Sequence, residues 1–402
     1  MRLQLLAALR KPALNLLLLA IGIGLAMGAG ELLIRLVAPQ QLILLRPDLW
    51  QAMDSVGWGH RPNLITKVNT GDRTVSMLTD SSGFRVGAEG RPPGQYRILL
   101  LGDSFMAAMQ VEYEQSMAGL IDRCFASRTG KTAAVWNAGV AGWDPPQYLV
   151  QAGRALNTMP FDLVIVAVFL GNDIVREKRI LKPREPDPRR TFRFPRRPSY
   201  HEFVDALLAP LNDGLETRSH LYVFLKNRSQ AVLMRFGLTG FEVPEEIRRD
   251  QASAPRWGVT ADILAGIDSM ATSHKVPTIF ALIPAIEQVV PDVFEFRTKS
   301  FGIDPATLDL DQPERLMISE LQRRHLQFVS FLKPLRQAQR HGVDLYGRAD
   351  MHPSVEGHRV MWNALAPVLA QRLRLPYDSA NSGPPSCGEP RDAGTSSRYP
   401  GR

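Results

Sequence analysis

Four short polar motifs carry side chains that can do chemistry together. They are Gly102-Asp103-Ser104, Asn137-Ala138-Gly139, Gly171-Asn172-Asp173 and Asp350-Met351-His352-Pro353. Between them they offer a hydroxyl nucleophile, a histidine base, a carboxylate that could orient it, and nitrogen donors for an oxyanion. These are the parts that acyl transfer through a serine requires.

Each motif alone also has an ordinary structural interpretation. Gly-Asp-Ser is a common way to begin a helix, because Asp and Ser cap helix N-termini. Asn137 and Gly139 fit a simple turn, Asn172 fits a helix cap, and His352 fits an exposed surface position. The functional interpretation therefore depends on whether the fold brings the four motifs to one place.

The elements that must position these motifs alternate between strands and helices. Strands are predicted at 97–104, 132–140, 162–173, 276–284 and 327–332, and helices at 114–127, 145–159, 259–274 and 354–373. This alternation predicts a parallel sheet covered by helices on both faces. Functional groups in such sheets collect at the carboxyl ends of the strands, where the first three motifs stand.

The order and content of the motifs resemble the SGNH/GDSL hydrolase superfamily over residues 95–175 and 276–373. The resemblance implies a three-layer α/β/α fold with a parallel central sheet and a serine hydrolase activity. It implies Ser104 as the nucleophile, His352 as the base and Asp350 as the catalytic aspartate that orients His352. It also implies an oxyanion hole formed by the amides of Ser104 and Gly139 and the side chain of Asn172.

Two motifs differ from the family's usual pattern. Leu170 stands where the third motif usually has glycine, and Gly171 directly precedes Asn172. The last motif is Asp-x-His instead of Asp-x-x-His, a spacing also found in the related alginate-acetylation proteins. Residues two apart in an extended segment point to the same side, so Asp350 either braces the ring of His352 or merely lies beside it.

Sequences near the first and last motifs add to the resemblance. Two short sequences resemble those of membrane-tethered bacterial members of this superfamily. They are HPSVEGH near the C-terminus and SSGFR upstream of the first motif. We expect the turn after the first strand to present Ser104 above the start of a helix, whose positive end favours an anion. Gly102 is expected to allow the tight turn, and Asp103 to hold the turn without acting in catalysis.

The N-terminus predicts a membrane anchor over residues 1–38. Pro12 to Gly30 is apolar apart from Asn15 and has about the 20 residues that a spanning helix needs. Positive charge before the span, at Arg2, Arg10 and Lys11, predicts a cytoplasmic N-terminus and a periplasmic main domain at a bacterial inner membrane. A cleaved signal peptide is the alternative, and a buried soluble helix is a third interpretation.

The rest of the chain divides by composition. We predict a linker with peripheral strands at 39–95, a hydrolase-like domain at 96–375, an inserted loop and helical cap at 176–258, and a disordered tail at 376–402. The loop from Arg176 to Arg197 is rich in Arg and Pro. It either contacts an acidic glycan or phospholipid headgroups, or is a solvated loop without a ligand.

The totals exclude several classes of protein. The 402 residues carry a net charge of +8 and 45% hydrophobic residues, as in a globular protein. Two cysteines exclude a disulfide framework, and we expect Cys124 and Cys387 not to pair. Zinc-ribbon and HExxH motifs are absent, so no metal and no cofactor is expected, and no motif indicates a nucleic-acid partner.

The function that the sequence predicts is a serine esterase acting on acyl esters, favouring O-acetyl groups, of an extracytoplasmic glycan. Three alternatives stay open: an O-acetyltransferase for exopolysaccharide, a lipase or lysophospholipase, and a binding protein on an inactive scaffold of the same fold. The expected partners are an acylated carbohydrate or lipid, the inner membrane and polysaccharide-assembly proteins.

Overall fold

The computed structural model describes residues 2–40, 42, 44, 46–175, 211–212, 214–235, 243–348 and 351–378. The chain forms two compact units. The smaller unit is Met1–Leu45 with Arg196–Gly240, and the larger is Arg46–Pro195 with Phe241–Arg402. The Arg-rich loop from Arg176 to Arg197 lies outside the described residues, as does the predicted tail from residue 379 onwards.

Ten strands are described in the larger unit, and eight of them form one mixed sheet. The ten are β1 (Trp50–Met53), β2 (Gly57–His60), β3 (Ile65–Asn69), β4 (Thr74–Thr79), β5 (Arg85–Val86), β6 (Tyr96–Leu101), β7 (Ala133–Asn137), β8 (Leu163–Phe169), β9 (Thr278–Ile283) and β10 (Phe328–Ser330). The sheet order is β10-β9-β8-β6-β7-β5-β4-β3, while β1 and β2 form a separate antiparallel hairpin. The strands from β10 to β7 pair in parallel, as predicted.

The antiparallel part of the sheet differs from the prediction. β5 pairs antiparallel with β7, and β4 and β3 continue the sheet beyond it. Three strands of the segment 39–95, for which a linker and peripheral strands were predicted, thus form one edge of this sheet. The sheet is therefore mostly, not wholly, parallel.

Eleven helices are described. They are α1 (Arg2–Val37), α2 (Ser104–Ala107), α3 (Met117–Thr129), α4 (Pro145–Thr158), α5 (His220–Arg235), α6 (Arg256–Ser273), α7 (Ile286–Val289), α8 (Pro291–Phe301), α9 (Gln312–Arg323), α10 (Leu332–Arg340) and α11 (Val355–Arg372). The predicted helices correspond to α3, α4, α6 and α11. The helices from α7 to α10 were not predicted.

The two faces of the sheet carry separate hydrophobic cores. Alternate residues of β8 belong to different cores: Val164 and Val166 to one, Leu163 and Ile165 to the other. Helices α4, α6 and α9 contribute to the first core, and α3, α10 and α11 to the second. This is the predicted three-layer arrangement, and it explains why β8 is an almost continuous apolar run.

The N-terminal helix is long and apolar enough to cross a membrane from Leu14 to Val37. At the end of this segment, the Glu31 carboxylate accepts hydrogen bonds from Ser219 Oγ (2.7 Å) and from the N–H groups of His220 (2.9 Å) and Leu221 (2.8 Å). Glu31 thus satisfies the exposed N–H groups at the beginning of α5. The described part of the insertion, from 211 to 235, therefore packs with the N-terminal helix.

The expectation that the cysteines are unpaired is wrong for Cys124. Cys124 is fully buried on α3 and is disulfide-bonded. Its position in a helix did not exclude a covalent partner, because a helix fixes only the backbone of the residues within it. Cys387 lies outside the described residues.

Replacement of a central core residue tests the importance of the sheet. Ile165→Ala in β8 removes a side chain with no exposed surface and is expected to lower the free energy of unfolding by about 2–5 kcal/mol. Ile65→Ala is the matched control, since Ile65 in β3 is 83% exposed and its loss should cost under about 1 kcal/mol. Equal losses in a urea titration of both variants would contradict this assignment of the core.

Candidate active site

Ser104 is the first residue of the four-residue helix α2, three residues after the end of β6. Asp103 caps the helix, with its Oδ1 accepting a hydrogen bond from Phe105 N at 2.8 Å. The strand carries Ser104 to the carboxyl edge of the sheet, and only 9% of its surface is exposed. Asp103 holds the turn, as predicted.

The structure brings His352 to Ser104. The distance from His352 Nε2 to Ser104 Oγ is 2.7 Å, although the two residues are 248 positions apart. The His352 ring lies against Phe105 with 4.9 Å between ring centroids, and Phe105 stacks on Phe169 at 4.1 Å. These rings restrict the histidine to one side of the nucleophile.

The residues on either side of His352 are held in place by hydrogen bonds and side-chain contacts. Ser354 caps α11 through a hydrogen bond from Gly357 N and donates its own N–H to Leu345 O at 2.9 Å. Arg297 contacts the sulfur of Met351 and forms a buried ion pair with Glu287. Asp350, the predicted catalytic acid, lies outside the described residues.

Two glycines at the site are required for close packing. A Cβ at Gly102 would lie 2.5 Å from Met106 Cγ, and one at Gly171 would lie 2.7 Å from Phe169 Cζ. Gly102 does not adopt a positive φ, so lack of space, not the predicted turn conformation, accounts for it. The same crowding accounts for Gly171 directly before Asn172.

The amide of Gly139 makes a hydrogen bond within its own loop. Its N–H donates to Asn137 Oδ1 at 3.0 Å, and a Cβ at this position would lie 2.6 Å from Ala107 N. Gly139 therefore lets the loop after β7 approach α2, and its amide is engaged within the loop. The assignment of this amide to the oxyanion hole stays a prediction.

Gly142, in the same loop, was not singled out in the sequence. Its φ is +79°, in the left-handed region that favours glycine. Among the residues that the structure describes, none accepts a hydrogen bond from the N–H of Gly142 or of Ser104. Trp58 and Trp143 hold this loop, since Trp58 Nε1 donates to Ala141 O and Trp143 Nε1 donates to Trp58 O.

Asn172 lies beside the carboxylate of Asp103. Burial raises the pKa of Asp103 to about 6, while the N–H of Phe105, the charge of His352 and the side-chain amide of Asn172 oppose that rise. Asp173 is also fully buried, and its Oδ2 accepts hydrogen bonds from Phe169 N (2.8 Å) and Tyr148 OH (3.0 Å). Burial and the nearby Asp103 raise the pKa of Asp173 well above its ordinary value.

The structure thus brings Ser104, His352 and Asn172 to one edge of the sheet. No cluster of three or more metal-ligating side chains occurs in the described part of the chain. The arrangement contains a hydroxyl next to an imidazole, a pair that can perform acyl transfer.

Comparison with known proteins gives structural neighbours alone. No family model matches the chain, and no curated protein sequence matches it. The chain is similar in fold to GDSL-family hydrolases. A lipolytic protein of the G-D-S-L family from Veillonella parvula is 13% identical, with 68% of this chain and 98% of that one covered and a TM-score of 0.36.

Two further solved structures are similar. A putative G-D-S-L lipolytic protein from Desulfitobacterium hafniense is 12% identical over 68% of this chain and 99% of its own, with a TM-score of 0.36. An acetyl xylan esterase from Geobacillus stearothermophilus is 11% identical over 72% and 97%, also with a TM-score of 0.36. The function is therefore inferred from the geometry of the site.

The buried carboxyl of Asp103 makes a prediction about pH and stability. Its pKa of about 6 in the folded protein exceeds the value of about 3.9 in an unfolded chain. The folded state therefore binds the proton more tightly, and stability falls as pH rises from about 4 to about 6. Asp103→Asn keeps an oxygen for the Phe105 N–H and cannot titrate, so its melting temperature should fall less over this range.

Thermal unfolding followed by circular dichroism between pH 4 and pH 7 measures this difference. Asp54→Asn, at an exposed position, is the matched control and should follow the wild type. An Asp103→Asn protein with the same pH dependence as the wild type would contradict the assignment.

Proposed function

We propose that this protein is a serine esterase that acts through an acyl-enzyme on Ser104. The single observation that supports this proposal is the 2.7 Å distance between Ser104 Oγ and His352 Nε2. A serine hydroxyl is a weak nucleophile until an adjacent base accepts its proton, and this distance allows that transfer.

In the proposed reaction His352 Nε2 takes the proton of Ser104 as Oγ attacks the ester carbonyl. The tetrahedral intermediate collapses when the imidazolium returns the proton to the leaving alcohol. Water, activated by His352 in the same way, then releases the acid from Ser104. A sugar hydroxyl in place of water would make the protein an O-acyltransferase.

The negative oxygen of the tetrahedral intermediate needs donors that are already in place. We propose the Ser104 N–H and the Asn172 side chain, with the N–H of Gly142 in the role predicted for Gly139. Within the described ranges no acceptor binds the N–H groups of Ser104 and Gly142, which supports this choice, as does the position of Asn172 beside Asp103. Donors fixed in this way stabilise the transition state without reorganising.

Asp350 is proposed to hold His352 in the tautomer that keeps Nε2 free to accept a proton. Its place two residues before His352 in the sequence is the basis of this assignment. A carboxylate in this role also stabilises the imidazolium formed during attack.

The proposed substrate is an O-acetyl ester of a glycan outside the cytoplasm. Ser104 as a whole is only 9% exposed, and we propose that this limited access favours a small acyl group. A helix able to span a membrane, with positive charge before it, favours a catalytic unit on the outer side of the inner membrane. The resemblance to alginate-acetylation proteins agrees with a polysaccharide substrate.

Removal of the nucleophile tests the proposal directly. The full-length protein should be labelled at Ser104 by a fluorophosphonate and should release acetate from acetylated polysaccharides, with a transient acetyl group on Ser104 detected by mass spectrometry. Ser104→Ala should lose labelling and turnover and remain folded, because the change removes one oxygen atom. Ser82→Ala, at an exposed position, is the control and should behave as the wild type.

Two outcomes of this experiment would decide against the proposal. Full esterase activity in Ser104→Ala would remove Ser104 from the mechanism. A folded wild-type protein that resists the fluorophosphonate and hydrolyses no ester would favour a binding protein on an inactive scaffold. Faster turnover of long acyl chains than of acetyl groups would favour the lipase alternative.

Loss of one oxyanion donor should slow the chemistry without unfolding the protein. Asn172→Ala is expected to lower kcat by about 10²–10³-fold with little change in KM, because the side chain acts in the transition state. Steady-state kinetics with an acetyl ester measure both constants. A loss confined to KM would show instead that Asn172 binds the ground state of the substrate.

A further inference from the structure

The helix that carries Ser104 is too short to maintain its own conformation. α2 contains four residues, and an isolated helix of this length is unstable because few internal hydrogen bonds offset the cost of nucleation. Its first turn is held by Asp103. Ala108, at its end, has a φ of +49°, which is uncommon for a residue with a side chain.

Arg85 binds the carboxyl end of this helix. Its Nη1 donates to Ala107 O at 2.7 Å and to Ala108 O at 2.6 Å, and its Nη2 donates to Val111 O at 2.7 Å. Nη2 also donates to Ser76 O in β4 at 3.3 Å. One guanidinium thus joins the nucleophile helix and the loop after it to the antiparallel part of the sheet.

These carbonyl groups solvate the buried charge of Arg85 through hydrogen bonds. Arg85 has no exposed surface, and no carboxylate of the described residues lies within ion-pair distance of it. Burial lowers its pKa to about 10, so the guanidinium stays charged at neutral pH. A positive charge at the carboxyl end of a helix interacts favourably with the partial negative charge there.

A second side chain binds the same end of the helix. Asn137 is the β7 residue paired with Arg85, and its Nδ2 donates to Met106 O at 2.9 Å. The carbonyl groups of residues 106, 107 and 108 are therefore bound in succession by two adjacent strands.

His358 feels the charges of both Arg85 and His352. It is a buried residue on α11, and burial followed by the charges of Arg85 and His352 lowers its pKa to about 3. A neutral His358 adds no positive charge to this part of the core.

We infer that Arg85 is a positioning residue, whose planar guanidinium holds the carboxyl end of α2 so that Ser104 Oγ stays within proton-transfer distance of His352 Nε2. This inference rests on the proposed function of Ser104. Lysine cannot replace the guanidinium, because its compact ammonium group cannot bind several carbonyl groups in one plane.

The test compares Arg85→Lys with the wild type and with a matched control. Arg91→Lys is the control: Arg91 also donates to a backbone carbonyl, Val135 O at 2.9 Å, and pairs with Asp80. It makes no hydrogen bond to residues 104–111. The measurements are thermal unfolding, kcat and KM for an acetyl ester, and the rate at which a fluorophosphonate labels Ser104.

Arg85→Lys is expected to fold, with kcat lowered about 10–100-fold and KM within about threefold of the wild-type value, since a shift of about 1 Å in a reacting group can cost about 100-fold. Labelling of Ser104 should slow by a similar factor. Arg91→Lys should label at the wild-type rate.

Three results would overturn the inference: labelling of Arg85→Lys at the wild-type rate, a loss confined to KM, or failure of Arg85→Lys to fold. The last result would mean that Arg85 maintains the whole fold and not the position of one helix. A wild-type protein that is not labelled at Ser104 would instead refute the proposed function, so the two failures are distinguishable.

Discussion

The hydrogen bond between Ser104 and His352 is the interaction on which the functional interpretation depends. It joins residues 248 positions apart, so neither local sequence nor a single element can form it. Ser104 follows β6 in the middle of the sheet, and His352 directly precedes the capped start of α11. The parallel strands and the helices on both faces fix the two segments that carry these residues.

Buried charges around α2 match the polarity of the helix. Asp103 lies at its amino end, and Arg85 lies at its carboxyl end. Each charge faces the end of the helix whose partial charge is opposite to its own. Burying either charge without partners would cost several kcal/mol, and the hydrogen bonds from N–H groups or to carbonyl groups reduce that cost. The polar interior therefore stabilises one conformation of a segment that is unstable alone.

The parallel strands could be predicted because burial on both faces requires a continuous apolar run, and β8 is such a run. The roles of β3, β4 and β5 could not, since antiparallel pairing with β7 depends on a partner distant in sequence. Helices α8 and α9 were not predicted, although each has proline at its first or second position, as the predicted helix α4 does.

The candidate site was partly predictable for similar reasons. Ser104 and His352 could be identified because their residue types limit the chemistry they can do. The contacts of Gly139 could not be predicted, because the sequence does not reveal whether a glycine is needed for its amide or for space. The burial of Arg85 could not be predicted, because nothing in the sequence distinguishes it from the many exposed arginines of this chain.

The hydrogen bonds of Glu31 to the start of α5 affect how the protein would respond to proteolysis. The polypeptide passes between the two units three times, near residues 45, 195 and 240. A single cut after residue 38 would leave α5 covalently joined to the larger unit, while Glu31 would still hold α5 on the N-terminal helix. Release of the N-terminal helix from the rest of the chain would therefore require both a cut and the separation of these two helices.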